Sequence, residues 1–100
     1  MDISDAVQQA EAQRLQAWLG KQVVVDAHGS HIILGVLKGF DACFLELEGA
    51  DVHDLHDANS TREQYVHNAV KYGLTVNRKY VIIYKHQVLG ISLLDEVVKF

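Results

Sequence analysis

The sequence predicts a mostly β protein: a strongly bent, five-stranded barrel with an N-terminal α-helix and a helical insertion between strands 3 and 4. Short segments rich in β-branched and aromatic residues alternate with turn signals, a pattern typical of small barrels. The longest of these segments, residues 31–40, contains Gly35 near its middle. A glycine inside a strand usually marks a bulge or a sharp bend, so we expect the sheet to curl there.

The first element is a helix over residues 3–19, followed by Gly20 as a stop signal. Its apolar residues recur near the helical period, and its glutamines lie largely off that stripe. The stripe consists of Ile3, Val7, Ala10, Leu15, Trp18 and Leu19. We therefore expect the helix to pack one side on the barrel and to expose a side rich in amides.

Three strands are expected next, over residues 22–27, 31–40 and 43–48, with a turn at residues 28–30. The β-branched composition of these segments favours extended structure. The turn contains a glycine, which tolerates the backbone angles that a tight reversal requires.

Residues 49–79 form an insertion that begins as a polar, acidic loop. Its second half is expected to be helical, because Ser60 and Glu63 fit a capping box.

The last two strands follow at about residues 79–84 and 88–94. The 100 residues are expected to form one domain, because the chain is too short for a second core.

Composition argues against several classes of protein. The formal net charge of −4 argues against coating of nucleic acid by a basic surface. No apolar run is long enough to span a bilayer, and the N-terminal segment lacks the features of a secretory signal, so we expect a cytoplasmic protein. The single cysteine, Cys43, cannot form an internal disulfide and is expected to be buried in a strand.

The fourth and fifth strands are apolar on both faces, at residues 81–84 and 88–89. Strands of this kind are usually covered on both sides. One helix is too small to cover them all, and exposed apolar edges aggregate. We therefore expect these strands to pair with another copy of the chain.

The joint between these two strands has an unusual composition, with Lys85-His86-Gln87 following Tyr84. Tight hairpins normally turn on glycine, asparagine or aspartate. Lys85 and His86 could form a solvated hairpin tip, or they could form a binding site. Asp41, in the turn before the third strand, could serve only to bond the backbone amides of its own turn.

Two local motifs resemble the Sm/LSm superfamily, and its bacterial Hfq branch in particular. Residues 35–41, Gly-Val-Leu-Lys-Gly-Phe-Asp, are similar to the first Sm motif. Tyr84-Lys85-His86 is similar to the Tyr-Lys-His of the second motif of Hfq, where other branches carry Arg-Gly. With the preceding helix and the strand order, the likeness covers about residues 3–48 and 79–94.

The resemblance implies an Sm-like (SH3-like) barrel that assembles into a homo-oligomeric ring of about five to seven subunits. It also implies binding of single-stranded, uridine-rich RNA near the pore, where lysine neutralises phosphate, imidazole and amide groups bond to bases, and aromatic rings stack on them. The residues that would bind RNA are Lys85, His86, Tyr84, Asp41, Phe44 and Gln9, with Gln8 as the alternative helix glutamine. No cofactor, membrane or small-molecule substrate is implied.

The chain departs from Hfq beside the first motif. Ala42-Cys43 stands where Hfq has Gln-Phe, and Phe44 lies one position later. This departure, the net negative charge and the acidic insertion support an alternative function. In that alternative, the ring is a scaffold for protein interaction with little or no RNA binding.

The remaining polar clusters have less specific patterns. In residues 51–57, His53 and His56 alternate with aspartates, which could bind a metal such as zinc. An acidic surface loop accounts for the same pattern without a metal. The sequence contains no recognisable nucleophile with its base, phosphate loop or pair of catalytic carboxylates, so we expect a binding protein rather than an enzyme.

Overall fold

A computed structural model describes residues 3–57 and 61–98. The elements, in chain order, are helix α1 (Ile3–Gln16), strands β1 (Gln22–Ala27), β2 (His31–Phe40) and β3 (Phe44–Asp54), helix α2 (Arg62–Tyr72), and strands β4 (Arg78–Tyr84) and β5 (Val88–Leu93). Short 3₁₀ turns follow β3, β4 and β5. The predicted class, a mostly β fold with five strands after an N-terminal helix, is confirmed.

The five strands form one antiparallel sheet in the order β4-β3-β2-β1-β5. The pairs β1–β2, β2–β3 and β3–β4 each join strands that are consecutive in the chain, whereas β5 pairs with β1. As a result, β4 and β5 lie at opposite ends of the sheet. Within the described residues, each of them has one edge without a strand partner.

The sheet bends where β2 passes closest to β3, at Gly35. The register between the two strands shifts there, as predicted from the glycine. A Cβ atom on Gly35 would lie 3.1 Å from the carbonyl oxygen of Glu48 and 3.3 Å from the Cα of Ala50. On the opposing strand, Gly49 has a φ of +56°, a left-handed conformation that favours glycine. The geometry of the bend therefore favours glycine at both positions.

The predicted acidic loop at residues 49–54 is wrong, because β3 continues through these residues to Asp54. They pair with the first half of β2, and Asp54 lies opposite His31. Asp51 and Asp54 can lie in this strand because each is close to a hydrogen-bond donor from another part of the chain. The hydroxyl of Ser30 donates to Asp54 Oδ1 at 2.6 Å, and Tyr65 on α2 bonds to the side chain of the buried Asp51.

Helix α1 is shorter than predicted and covers less of the barrel. It ends at Gln16, and the chain continues through a turn to Gly20, whose φ is +82°. Leu15 is buried, whereas Ile3 and Val7 are 83% and 51% exposed. The C-terminal part of the predicted apolar stripe thus contacts the barrel, and its N-terminal part does not.

The apolar side chains form two cores, one on each face of the sheet. Alternate residues of a strand point to opposite faces, so Val23 and Val25 enter one core and Val24 enters the other. The larger core includes Leu15, Val23, Val25, Ala27, Ile33, Leu37, Leu45, Leu47, Ala50, Ile83 and Leu93. The smaller core, which α2 covers, consists of Val24, Ile32, Leu34, Val66, Ala69 and Leu94. Trp18 packs against the larger core and is partly buried, as predicted.

Helix α2 is present as expected, but its capping box lies one residue later than predicted. The side chain of Thr61 accepts from the amide of Gln64, and the Gln64 side chain accepts from the amide of Thr61. Ser60 lies outside the described residues. An ion pair between Arg62 Nη1 and Asp26 Oδ1, at 2.6 Å, attaches the start of the helix to β1.

Tyr65 attaches the middle of α2 to β3. Its ring stacks on His53 with centroids 4.0 Å apart, and its hydroxyl bonds to Asp51. Burial, followed by the hydrogen bond to Asp51, raises the pKa of Tyr65 well above its usual range. His53 Nε2 is buried in this cluster without a hydrogen-bond partner in the described part of the chain.

The substitution Gly35→Ala tests the close approach at the bend. We expect it to lower the free energy of unfolding by about 1–3 kcal/mol, because the new methyl group meets backbone atoms that cannot move independently. Gly90→Ala is the matched control, since no atom lies within 4 Å of a Cβ at that position and its φ is ordinary. Denaturant unfolding should show a loss for Gly35→Ala and little or no loss for Gly90→Ala. Equal midpoints for the two variants would show that the bend does not depend on glycine.

Candidate functional site

The joint between β4 and β5 is a 3₁₀ turn over Lys85–Gln87 rather than a glycine hairpin. The amide of Lys85 donates to the carbonyl of Cys43 at 2.8 Å, and the amide of His28 donates to the carbonyl of Gln87 at 2.7 Å. Among the described residues, positive φ angles occur only at glycines. The joint therefore needs no turn glycine, and its side chains are available for other roles.

Asp41 organises the turn between β2 and β3, as the simpler interpretation of this residue predicts. Its Oδ1 accepts hydrogen bonds from the amides of Cys43 and Phe44, each at 2.8 Å. These two amides, and to a smaller extent the positive charge of Lys85, lower the pKa of the Asp41 carboxyl. Its participation in RNA binding stays a prediction.

A row of three rings lies beside the joint. The Phe44 and Tyr84 centroids are 4.9 Å apart, and those of Tyr84 and His86 are 5.4 Å apart. Tyr84 is 55% exposed, and His86 is also exposed. The row borders a cavity of about 510 Å³, which we call the ring cavity, lined by Glu11, Ala42, Cys43, Phe44, Tyr84, Lys85 and His86.

A second cavity of about 480 Å³, which we call the helix groove, lies between α1 and the turn at Asp41. Both candidate glutamines, Gln8 and Gln9, line it. Its lining consists of Asp5, Gln8, Gln9, Ala12, Phe40, Asp41, Ala42 and Lys85. Together with the ring cavity, it brings every predicted RNA-binding residue to one side of the barrel.

Lys85 joins the two cavities and carries an ion pair that the sequence analysis missed. Its Nζ lies 3.0 Å from Glu11 Oε2 and 5.7 Å from the centre of the Phe40 ring. The side chain of Lys85 is only 17% exposed, whereas that of Glu11 is 43% exposed. The helical period contained a signal for Glu11, because a residue three positions after Gln8 lies on the same side of a helix.

Cys43 is exposed, so its predicted burial in a strand is wrong. The reason is that β3 begins one residue later, at Phe44, and leaves Cys43 in the turn. This offset also makes Phe44 the ring that faces Tyr84 across β3 and β4. Phe44 thus lies beside the joint although Ala42 and Cys43 occupy the Gln-Phe positions of Hfq.

The histidines of residues 51–57 do not form a metal site in the described part of the chain. No three side chains of His, Cys, Asp or Glu converge there to hold an ion. His53 packs against Tyr65, and Asp54 accepts a hydrogen bond from the amide of His56 at 3.0 Å. Across residues 3–57 and 61–98, no helix has both the length and the apolar character needed to cross a membrane.

Comparison with solved structures identifies the fold. An archaeal Sm protein that forms a heptamer is 29% identical, with a TM-score of 0.54 over 81% of this chain and 96% of that one. The Pyrococcus abyssii Sm protein in complex with a uridine heptamer is 19% identical, with a TM-score of 0.55 over 81% of this chain and 93% of that one. The protein has an Sm fold. The Sm part of the predicted resemblance is therefore confirmed at the level of the fold.

The Sm fold is also present in a different kind of assembly. A chain of the NatC complex bound to CoA is 19% identical and matches with a TM-score of 0.54, over 79% of this chain and 82% of that one. No protein-family model matches the sequence, and a search of curated proteins finds no significant match. The specific likeness of Tyr84-Lys85-His86 to Hfq stays a prediction.

Proposed function

We propose that this protein assembles into a homo-oligomeric ring and binds single-stranded, uridine-rich RNA at the ring cavity and the helix groove. The observation that carries the proposal is the row of Phe44, Tyr84 and His86 beside the Lys85 ammonium. Exposed rings offer stacking surfaces to unpaired bases, and an ammonium group bonds to phosphate or base oxygens. In this proposal Tyr84-Lys85-His86 acts as the Tyr-Lys-His of Hfq does.

The comparisons support both halves of the proposal. One similar archaeal Sm protein is a heptamer, and the Pyrococcus abyssii protein binds a uridine heptamer. A chain that shares their fold can build a ring of about five to seven copies by the same geometry. Each copy would contribute one joint to the pore, so several weak sites would act together on one RNA strand.

The free edges of the sheet supply a means of assembly. On β4, the side chains of Tyr80, Ile82 and Tyr84 are 45%, 49% and 55% exposed, and Leu89 on β5 is 64% exposed. Exposed apolar edge strands are prone to pair with other strands. Pairing β4 of one copy with β5 of the next is a head-to-tail contact, which closes into a ring when the rotation allows it.

A protein scaffold is the second candidate function. The match to a chain of the NatC complex supports it, since that Sm fold occurs within a different assembly. The carboxylate of Glu11 beside Lys85 and the net charge of −4 also favour it, because both weaken attraction to phosphate. In either case we propose a binding protein without catalytic activity, in the cytoplasm.

Binding of labelled oligouridine and oligoadenosine separates the two candidates. Fluorescence anisotropy at about 50 mM and 200 mM salt should show oligouridine binding that weakens as salt rises. We expect Lys85→Ala and His86→Ala each to weaken binding on the order of tenfold, by removing a charge and a stacking ring. Lys71→Ala is the matched control, because Lys71 lies on α2 and rests on Tyr72.

Absence of oligouridine binding at both salt concentrations would overturn the RNA proposal and leave the scaffold. Binding that is weakened equally by Lys71→Ala and by Lys85→Ala would mean that RNA follows the general charge of the surface. Circular dichroism of each variant should confirm that its fold is unchanged.

The ring itself can be tested at the exposed edge of β4. We expect Ile82→Asp to convert the ring into smaller species, because a charge on an edge strand opposes strand pairing. Val76→Asp is the matched control, since Val76 is 54% exposed and lies outside the strands. Native mass spectrometry should show an intact ring for the wild type and for Val76→Asp. A monomeric wild type at micromolar concentration would contradict the assembly.

A further inference from the structure

The ammonium of Lys85 already has an anionic partner in the free protein. Glu11 Oε2 lies 3.0 Å from Lys85 Nζ, at the distance of a charge-assisted hydrogen bond. Because the Lys85 side chain is only 17% exposed, the pair lies where water screens charges incompletely. The Glu11 carboxylate thus already bonds to the one ammonium that the proposed site offers to RNA.

A second carboxylate lies near this pair. Asp41 lines the helix groove with Lys85, and Glu11 lies in the adjoining ring cavity. The negative charge of Asp41 is stabilised by two backbone amides, which lower its pKa, so it persists at neutral pH. Among the described residues that line these two cavities, Lys85 is the one lysine or arginine. A phosphate that approaches the Lys85 ammonium therefore also meets the carboxylates of Asp41 and Glu11.

We propose that Glu11 is an internal competitor for the Lys85 ammonium, which RNA must displace in order to bind. This inference rests on the proposed function of the site and names the residue that regulates it. Glu11 lies one helical turn before the buried Leu15, but its side chain is 43% exposed, so its carboxylate can turn into water while Leu15 keeps the helix on the barrel. Glu11 thereby lowers the affinity of the site for RNA phosphate. It favours RNA molecules whose stacking and base contacts are strong enough to offset the loss of the ion pair.

The competition has a consequence for the salt dependence of binding. When a lysine in water binds a phosphate, ions condensed on the RNA are released, and each contact adds about 0.7 to the slope of log K against log salt. In this site the contact also releases a carboxylate, which then regains cations from solution. The wild-type slope should therefore be shallower than that of a variant in which Lys85 has no anionic partner.

The substitution Glu11→Gln tests the proposal, because it keeps the shape of the side chain and removes its charge. We expect Glu11→Gln to bind oligouridine about tenfold more tightly than the wild type, counting all the subunits that one RNA molecule contacts. We also expect its log K to fall more steeply with log salt concentration. Glu63→Gln on α2 is the matched control, because it changes the net charge equally at an exposed position outside both cavities.

The double variant Glu11→Gln/Lys85→Ala completes the test. The gain in affinity should disappear in it, since the gain depends on an ammonium that Glu11 no longer occupies. If the wild type binds oligouridine and Glu11→Gln binds equally or more weakly, Glu11 holds Lys85 in position and the competition is refuted. An equal gain with Glu63→Gln would likewise refute it in favour of a general charge effect. If neither protein binds oligouridine at low salt, the proposed function itself fails, and the inference with it.

Discussion

The close approach of β2 and β3 at Gly35 is the constraint on which the rest of the structure depends. A Cβ atom at this position would crowd the backbone of β3, and the two longest strands shift register there. Because β1 and β5 continue the sheet from β2, and β4 continues it from β3, the two edge strands lie at opposite ends. The sheet can then bury apolar residues on both faces, under the end of α1 and under α2. Both edge strands keep exposed apolar side chains, which the proposed ring would cover: Tyr80, Ile82 and Tyr84 on β4 and Leu89 on β5.

The fold also brings polar side chains together, at the joint between β4 and β5 and the turn at Asp41. The bonds between Lys85 and Cys43 and between Asp41 and Phe44 hold the joint and the neighbouring turn together. Helix α1 adds its glutamines and Glu11 to them. A single lysine beside three rings suits unpaired bases better than it suits a dense row of phosphates. The proposed RNA site is therefore compatible with a net negative protein, since most of the affinity would come from stacking and from repetition around the proposed ring.

Local signals were sufficient to predict some elements and insufficient for others. The bounds of β1 and β2 follow from β-branched runs on either side of Gly29, and the structure reproduces them. The length of β3 could not be read locally, because the donors that satisfy its aspartates come from Ser30 and from α2. The ion pair of Lys85 joins residues separated by 74 positions, so no local sequence pattern predicts that Glu11 and Lys85 are partners. Two short motifs contain four of the six predicted site residues, Asp41, Tyr84, Lys85 and His86, whereas the charges around the site follow only from the fold.

Cys43 provides the most direct test of the proposal that RNA occupies the ring cavity beside Lys85 and His86. Cys43 is the chain's single cysteine, it is exposed, and it lines that cavity. The rate at which a thiol-specific reagent modifies it can be measured with and without oligouridine, at concentrations where anisotropy shows binding. We expect saturating oligouridine to slow the modification of Cys43 severalfold. An unchanged rate under saturation would show that RNA binds elsewhere on the protein, and would contradict the assignment of the site.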